Sequence, residues 1–440
     1  MSKEIKETEI YLRNFEEFVK SLNGQAAGEI YDMRRKAINL FNKVGFPGTR
    51  EEEWRYTSVA PIAKTDFALF DNYNRHNLDA AGMEDLYFKN WQGWVLVFIN
   101  GFFSEEFSKL ENIPDGIKIL NMAEAFRSDS EFVKENLDKS AGYENDPFYA
   151  LNTAFMRDGA FIAVADNTDA EKDIHLMFVT TESETKAHMT YPRKLISIGR
   201  NSQLRIVETH VGISDNIYFN NHAAEIFLDE NARLDYNRIQ NESLNAFHIE
   251  NINIHQKRSS VFHSNSIDFG GALVRNNIYN TLDAEGAETT LNGIYMGNGK
   301  QHIDNHTFID HAMPHCNSKE LYRGILDDKA GGVFSGKIMV RPDAQKTDAN
   351  QSNNCLLLSN DATIDTKPQL EIYADDVRCT HGATVGQLDK EAIFYLKSRG
   401  ISENQAYSIL TYAFVKEVID HIKIDSVRET VDEILKGRLG

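Results

Sequence analysis

Over the first 45 residues apolar side chains return at helical intervals. Tyr11, Phe15, Phe18, Val19 and Leu22 share one face, and Ile30, Met33, Ala37, Leu40, Phe41 and Val44 share another, which predicts two helices, the second stopped by Gly45 and Pro47. Thr49 and Glu52 have capping-box spacing and predict a short helix through EEEWRY. Signals mix between 66 and 145, where WVLVFING (94–101) is the clearest strand. From 146 to 375 the period shortens to two, and a polar turn followed by an alternating strand recurs every 27 to 30 residues: GRNSQLRIVETH (199–210), LDENARLDYNRI (228–239), HQKRSSVFHSNS (255–266) and LDAEGAETTLNG (282–293). That interval suits the coil of a β-helix-like solenoid rather than a sandwich strand. Helical spacing then returns. Leu388, Asp389 and Ile393 predict a stapled helix start, and Gly400 its end. Ser402 with Gln405 and Ser426 with Glu429 predict two more capping boxes, the first followed by Ala406, Leu410, Phe414 and Val418, the second by Val431, Ile434 and Leu435.

The expected chain is therefore mainly β: an N-terminal helical and mixed region (1–145), a solenoid core (146–385) and a C-terminal helical region (386–440). A solenoid leaves unpaired strands at both ends of its stack, and the helical ends are the expected caps.

Charge narrows the partners. With 47 Lys+Arg against 66 Asp+Glu, the net charge of -19 disfavours nucleic acid and anionic membrane surfaces. The first ten residues lack a secretory h-region and no long apolar run follows, so a soluble cytoplasmic chain is expected. Three cysteines without a CxxC pair, Cys316, Cys355 and Cys379, suit a reducing compartment.

Motifs of common catalytic classes are incomplete. GGVFSGKI (331–338) matches a phosphate-binding loop until Ile338 replaces its Ser or Thr, and KIMV continues as a strand instead of a helix. Nine of the 14 histidines lie from His210 to His315, and HIDNHTFIDHAMPHC carries His302, His306, His311 and His315, but a strand would scatter them over two faces. Asp327 with Asp328 and Asp375 with Asp376 could serve a β-helix carbohydrate-active enzyme, although such pairs are expected in so acidic a chain. DDVRCTHGATVGQLD (375–389) concentrates more chemistry: His381 and Cys379 would share a strand face where strands give way to helix. One imidazole and one thiol do not complete a metal site, so either His381 is structural or further ligands come from a second chain. A purely structural solenoid remains a third reading.

GFPGTREEEWRYT (45–57), FYALNTAF (148–155), AQKTDANQSNNCLLLS (344–359) and KPQLEIYADDVRCTHGATVGQLDKEAIFYLKSRGI (367–401) together resemble the SufB/SufD family of iron-sulfur cluster assembly proteins, from about residue 40 to residue 420. THGATVGQLD resembles the SufD branch more than the SufB branch. The resemblance implies a right-handed parallel β-helix flanked by helical regions and a non-catalytic scaffold role in the SUF system. It implies a SufB-like paralogue as partner, and a SufC-like ATPase that hydrolyses the nucleotide and docks on the C-terminal helices. By the same resemblance His381 would be a metal ligand for a nascent cluster, shared with a SufB thiolate, and Cys379 an accessory. The cluster would be transient cargo at the SufB interface, with no cofactor held tightly by this chain alone. Where a SufB-side thiolate would stand, LLLSNDATIDT offers Asn360 and Asp361. An uncovered solenoid strand would also permit a homodimer.

Overall fold

The computed structural model describes residues 7–22, 28–69, 78–138, 146–181 and 186–439. Residues 1–6, within the stretch read for a secretory signal, lie outside the described residues; among the described ones no helix is long and apolar enough to cross a membrane.

Thirteen strands run from residue 203 to residue 386: β1 (Gln203–Gly212), β2 (Tyr218–Leu228), β3 (Arg233–Asn241), β4 (Phe247–Gln256), β5 (Val261–Asp268), β6 (Leu273–Leu282), β7 (Glu288–Gly297), β8 (His302–His311), β9 (Asn317–Leu326), β10 (Gly331–Val340), β11 (Asp348–Leu357), β12 (Thr363–Ile372) and β13 (Arg378–Gly386). Odd strands stack in one parallel sheet and even strands in the other, a parallel β-solenoid of about seven turns. Both sheets continue into the N-terminal half, where Ile174–Thr180 and Trp94–Ile99 extend the odd sheet, and Arg193–Ile198 and Gly159–Val164 the even one.

The repeated polar phrases are stacked corners. Asn201, Asn231, Ser259, Gly286, His315 and Lys346 all hold positive φ. Each donates its backbone N–H to a carbonyl in the adjoining coil: Glu230, Arg258, Glu285, Pro314, Gln345 and Asp376 respectively, at 2.7–3.2 Å. Asn and Gly tolerate this conformation at least cost, which explains the Asn/Gly signature. Registers then follow in columns: Gln203 lies opposite Arg233, Arg233 opposite Val261, Val261 opposite Glu288. Inward side chains such as Leu204, Leu234, Phe262, Ile226 and Ile254 fill the lumen.

Helices clothe the flanks. Helices α1 (Glu7–Ser21), α2 (Glu29–Val44) and α3 (Pro147–Phe155) cover the outer face of the even sheet, where Phe148 and Phe155 pack with Phe219, Phe247 and Leu273. Helices α4 (Lys390–Ser398), α5 (Glu403–Ile419) and α6 (Asp425–Leu439) follow the last strand, and α5 and α6 lay Val415, Ile419, Val427 and Val431 on the outward Val207, Ile239, Ile267 and Ile294 of the odd sheet. The expected capping of the stack by the C-terminal helices is therefore overturned. An amphipathic helix finds more apolar area along a row of outward Ile and Val than on a sheet edge.

Several local expectations also shift. Thr49 makes no cap: Glu52–Trp54 is a single 3-10 turn, and Glu51 Oε1 accepts from Gly48 N at 2.9 Å. Ser426 lies inside α6, which starts at Asp425. In α2 the buried face includes Arg34 and Ile38 while Val44 is exposed, and in α5 it runs through Thr411 and Val415 rather than Leu410 and Phe414. The Ser402–Gln405 capping box forms on both sides, Asp389 caps α4 through Glu391 N, and Gly400 ends it at φ 88°. FYALNTAF, read within a strand region, lies in α3, and all nine residues of that helix are buried. A helix buried all round carries no amphipathic period.

Candidate functional site

Both sheets stop abruptly at the C-terminal end of the stack. Strand β12 pairs only with β10 and β13 only with β11, so each presents one free row of backbone N–H and C=O groups. Few of the residues on these two strands are buried, and Ile372, Tyr373 and Val385 are exposed there. An open pair of parallel edges bearing apolar side chains is adhesive toward another strand.

His381 sits on this rim. Its register partner is Gln351, and Cys379, Ala383 and Val385 lie opposite Ala349, Asn353 and Cys355. Since Ala349, Gln351, Asn353 and Cys355 are buried in the lumen, Cys379 and His381 face the lumen axis from its last, uncovered coil. His381 is exposed, and among the described residues its side chain makes no hydrogen bond or ion pair. Cys379 is half-buried against the core, and burial, then Asp348, push its thiol up, which disfavours the thiolate. Asn360 and Asp361 lie in the loop between β11 and β12, not on the rim strands.

Below His381 the column continues through Gln351 to Glu320, which accepts a hydrogen bond from Gln351 Nε2. Burial raises the Glu320 carboxyl from 4.5 to about 7. A raised folded-state value means that Glu320 stabilises the fold fully below its unfolded value and that this contribution is lost as pH climbs through about 7. The Glu320 contribution should accordingly fall between pH 5 and 8, against the opposite trend of buried histidines held below their usual value, such as His175 and His311. Glu320→Gln, which keeps the acceptor for Gln351, should be more stable than wild type at pH 8 by about 2–3 kcal/mol and nearly equal to it at pH 5. Urea midpoints of both proteins at the two pH values check this; a variant-minus-wild-type difference that is the same at pH 5 and pH 8 would contradict it.

The other singled-out residues are structural. GGVFSGKI is β10, and a side chain at Gly336 would collide with that of Gln351, so the glycine makes room in the lumen rather than cradling phosphate. His302 and His306 point outward. The first meets Thr57 Oγ1 at 2.8 Å and the second Asp304 Oδ1 at 2.9 Å, beside Arg275, whose guanidinium lies 3.7 Å from the centre of the Trp54 ring. His311 points inward to Ser318 Oγ at 2.8 Å, and His315 closes a corner. Asp328 and Asp376 serve turns, Asp376 also pairing with Lys346. All three cysteines are free, and burial raises Cys355 to about 12.

A cluster that the sequence did not disclose lies deeper in the lumen. Lys194, Glu208, Arg238, Glu250 and Asp268 form a buried ion network in which Lys194 bonds Glu208 and Glu250, and Arg238 bonds Glu250 and, at 2.8 Å, Asp268. His210, His222 and His248 line the same space. These residues sit on different strands, so only the register places them together.

The chain matches the family model described as "SUF system FeS cluster assembly, SufBD core domain" over residues 178–414 and that described as "SufBD protein N-terminal region" over residues 5–176. It is 34% identical over 426 residues to an iron-sulfur cluster assembly SufBD family protein of Synechocystis sp., covering 95% of this chain and 93% of that protein. It is 28% identical to the iron-sulfur cluster assembly protein SufD of Escherichia coli, covering 88% of each chain. Identity to the chloroplastic protein ABCI7 of Arabidopsis thaliana is also 28%, over 90% of this chain and 83% of that one.

Proposed function

We propose, from the premise that this chain belongs to the SufBD family of the SUF iron-sulfur cluster assembly system, that it is a SufD-type scaffold subunit whose open end completes a cluster-building site with a SufB-type paralogue. The observation that carries this reading is the uncovered pair of edge strands with an exposed His381 that faces the lumen from its last coil and has no partner among the described residues. A paralogue with the same coil geometry could continue both sheets edge to edge, giving main-chain hydrogen bonds to β12 and β13. His381 would then lie in a seam, where a neutral imidazole is a suitable iron ligand and a thiolate from the other chain a second one. The cluster is cargo: formed there, then passed on. Cys379, held as a thiol, is at most an accessory.

The chain itself performs no turnover in this reading. Its GxxxxGK-like stretch is a strand, so ATP hydrolysis falls to a SufC-type subunit. The dock for that subunit is the C-terminal helical region, where Phe394 on α4 is 75% exposed and Tyr395 57%. Three free thiols suit a reducing interior, and the cytoplasm is the proposed location. Without its paralogue the same rim would pair two copies of this chain.

Co-expression with SufB-type and SufC-type partners should yield a stable ternary complex, and failure to bind either partner would remove this reading. Phe394→Ser with Tyr395→Ser should weaken ATPase binding by about 30-fold, corresponding to about 2 kcal/mol, while the paralogue stays bound. Unchanged ATPase retention on a pull-down would place the dock elsewhere.

A further inference from the structure

Inside the solenoid, well below the rim, three imidazoles converge on one space. His210 from β1, His222 from β2 and His248 from β4 are all buried, and each offers a ring nitrogen within 4.8 Å of the others. Among the described residues neither ring nitrogen of His222 or of His210, nor Nδ1 of His248, has a hydrogen-bond partner of good geometry. An imidazole enclosed in this way forfeits its bonds to water with nothing in return. The neighbours of His222 are Phe178 edge-on at 4.9 Å, His210 edge-on at 4.5 Å and His248 stacked at 5.3 Å.

The other two rings each have a carboxylate at ion-pair distance. His248 Nδ1 lies 2.7 Å from Glu242 Oε2, and His210 Nε2 lies 2.7 Å from Glu208 Oε1. A carboxylate on one nitrogen of a histidine fixes the ring and raises the basicity of the other nitrogen, the arrangement that supports metal-bound histidines. Charge balance points the same way. Glu208, Glu242, Glu250 and Asp268 face only Lys194 and Arg238 as permanent cations. With the three histidines neutral, two negative charges are left in a sealed interior; against burial, Glu242 raises His248 above its usual value, so without a metal a proton there supplies part of the compensation, and a divalent ion would displace it.

We propose that His210, His222 and His248 bind one divalent transition-metal ion of the zinc or iron(II) type within the lumen. Lys194 already occupies Glu208 and Glu250, so the imidazoles make the primary bonds. Glu250, with Oε2 3.6 Å from His248 Nε2, stands next to the remaining position, and Arg238, whose Nη2 lies 3.4 Å from the same nitrogen, must give way toward its carboxylates for a metal to bind there. Nitrogens within 4.8 Å of one another must close to the roughly 3.4 Å apart that tetrahedral bonds of about 2.1 Å demand. One divalent ion cancels the two uncompensated charges and satisfies His222. The site is enclosed by several coils on either side, so the metal enters as the chain folds and is retained; it is distinct from the rim at His381.

The test uses the full chain, refolded from denaturant with Zn(II) or with Co(II) as a spectroscopic probe and then passed over a chelating resin. One metal per chain is expected, with X-ray absorption showing nitrogen and oxygen neighbours only and the outer-shell signature of imidazole. His222→Gln should reduce retained metal by about tenfold or more, and Glu242→Gln should weaken it by about tenfold; His381→Ala should leave it unchanged. A wild-type chain that retains no metal after refolding with either ion overturns the proposal, as does sulfur coordination or full retention in a folded His222→Gln chain. Should His222→Gln not fold, the wild-type stoichiometry and absorption spectrum decide alone.

Discussion

His381→Ala is expected to abolish cluster accumulation on the ternary complex, by at least about tenfold, while leaving the complex itself assembled. The side chain is exposed on the outermost strand, and truncating such a residue usually moves stability by less than about 0.5 kcal/mol. The edge strands that would hold the paralogue bond through their backbone, which alanine keeps. What disappears is one ligand from a site that neither chain completes alone. Anaerobic reconstitution with iron and sulfide, followed by visible absorption and size-exclusion chromatography, separates the outcomes. Loss of both cluster and complex would make His381 an interface residue, and normal cluster formation would remove it from the site.

Arg238→Leu should cost about 3–5 kcal/mol, the largest stability loss expected for a single substitution here. Its guanidinium bonds Glu250, Asp268 at 2.8 Å, Ser266 at 2.8 Å and Asn276, all in the lumen. Leucine fills much of the volume but leaves two buried carboxylates without that cation. They must then take up protons or admit water, so the loss should be smaller at low pH. Adding Glu250→Gln and Asp268→Asn to Arg238→Leu should restore a large part of the stability, because a neutralised network no longer needs the cation. Denaturant midpoints of the single and triple variants check the sign; an additive, steadily worsening series would show that packing rather than charge dominates.

Much of this architecture was legible from alternation and recurring polar turns, because a parallel solenoid repeats the same corner requirement in every coil. The corner positions Asn201, Asn231 and Gly286 announce themselves through residue types that accept positive φ. The α3 segment was not legible, since a helix buried all round has no polar face. The flank packing of α5 and α6 was missed for a different reason: outward Val207, Ile239, Ile267 and Ile294 read simply as strand residues until register aligns them into a row. The shared face of Cys379 and His381 was legible from their two-residue spacing, but that their strand is the last and unpaired one follows only from the strand order. The lumen histidines could not be found, since His210, His222 and His248 belong to three strands in two sheets.

A chain built on that corner column can change its length only in certain units. Each corner residue hands its N–H to the adjoining coil, and every strand after it keeps a two-residue alternation between lumen and surface. One inserted residue between a corner and its strand would turn Arg238 or Glu320 outward and drive an apolar flank residue into the charged interior. A whole added turn disturbs neither. The molecule thus behaves as a screw thread does, with its pitch fixed and its length free to grow only by complete turns or at loops that stand clear of the thread.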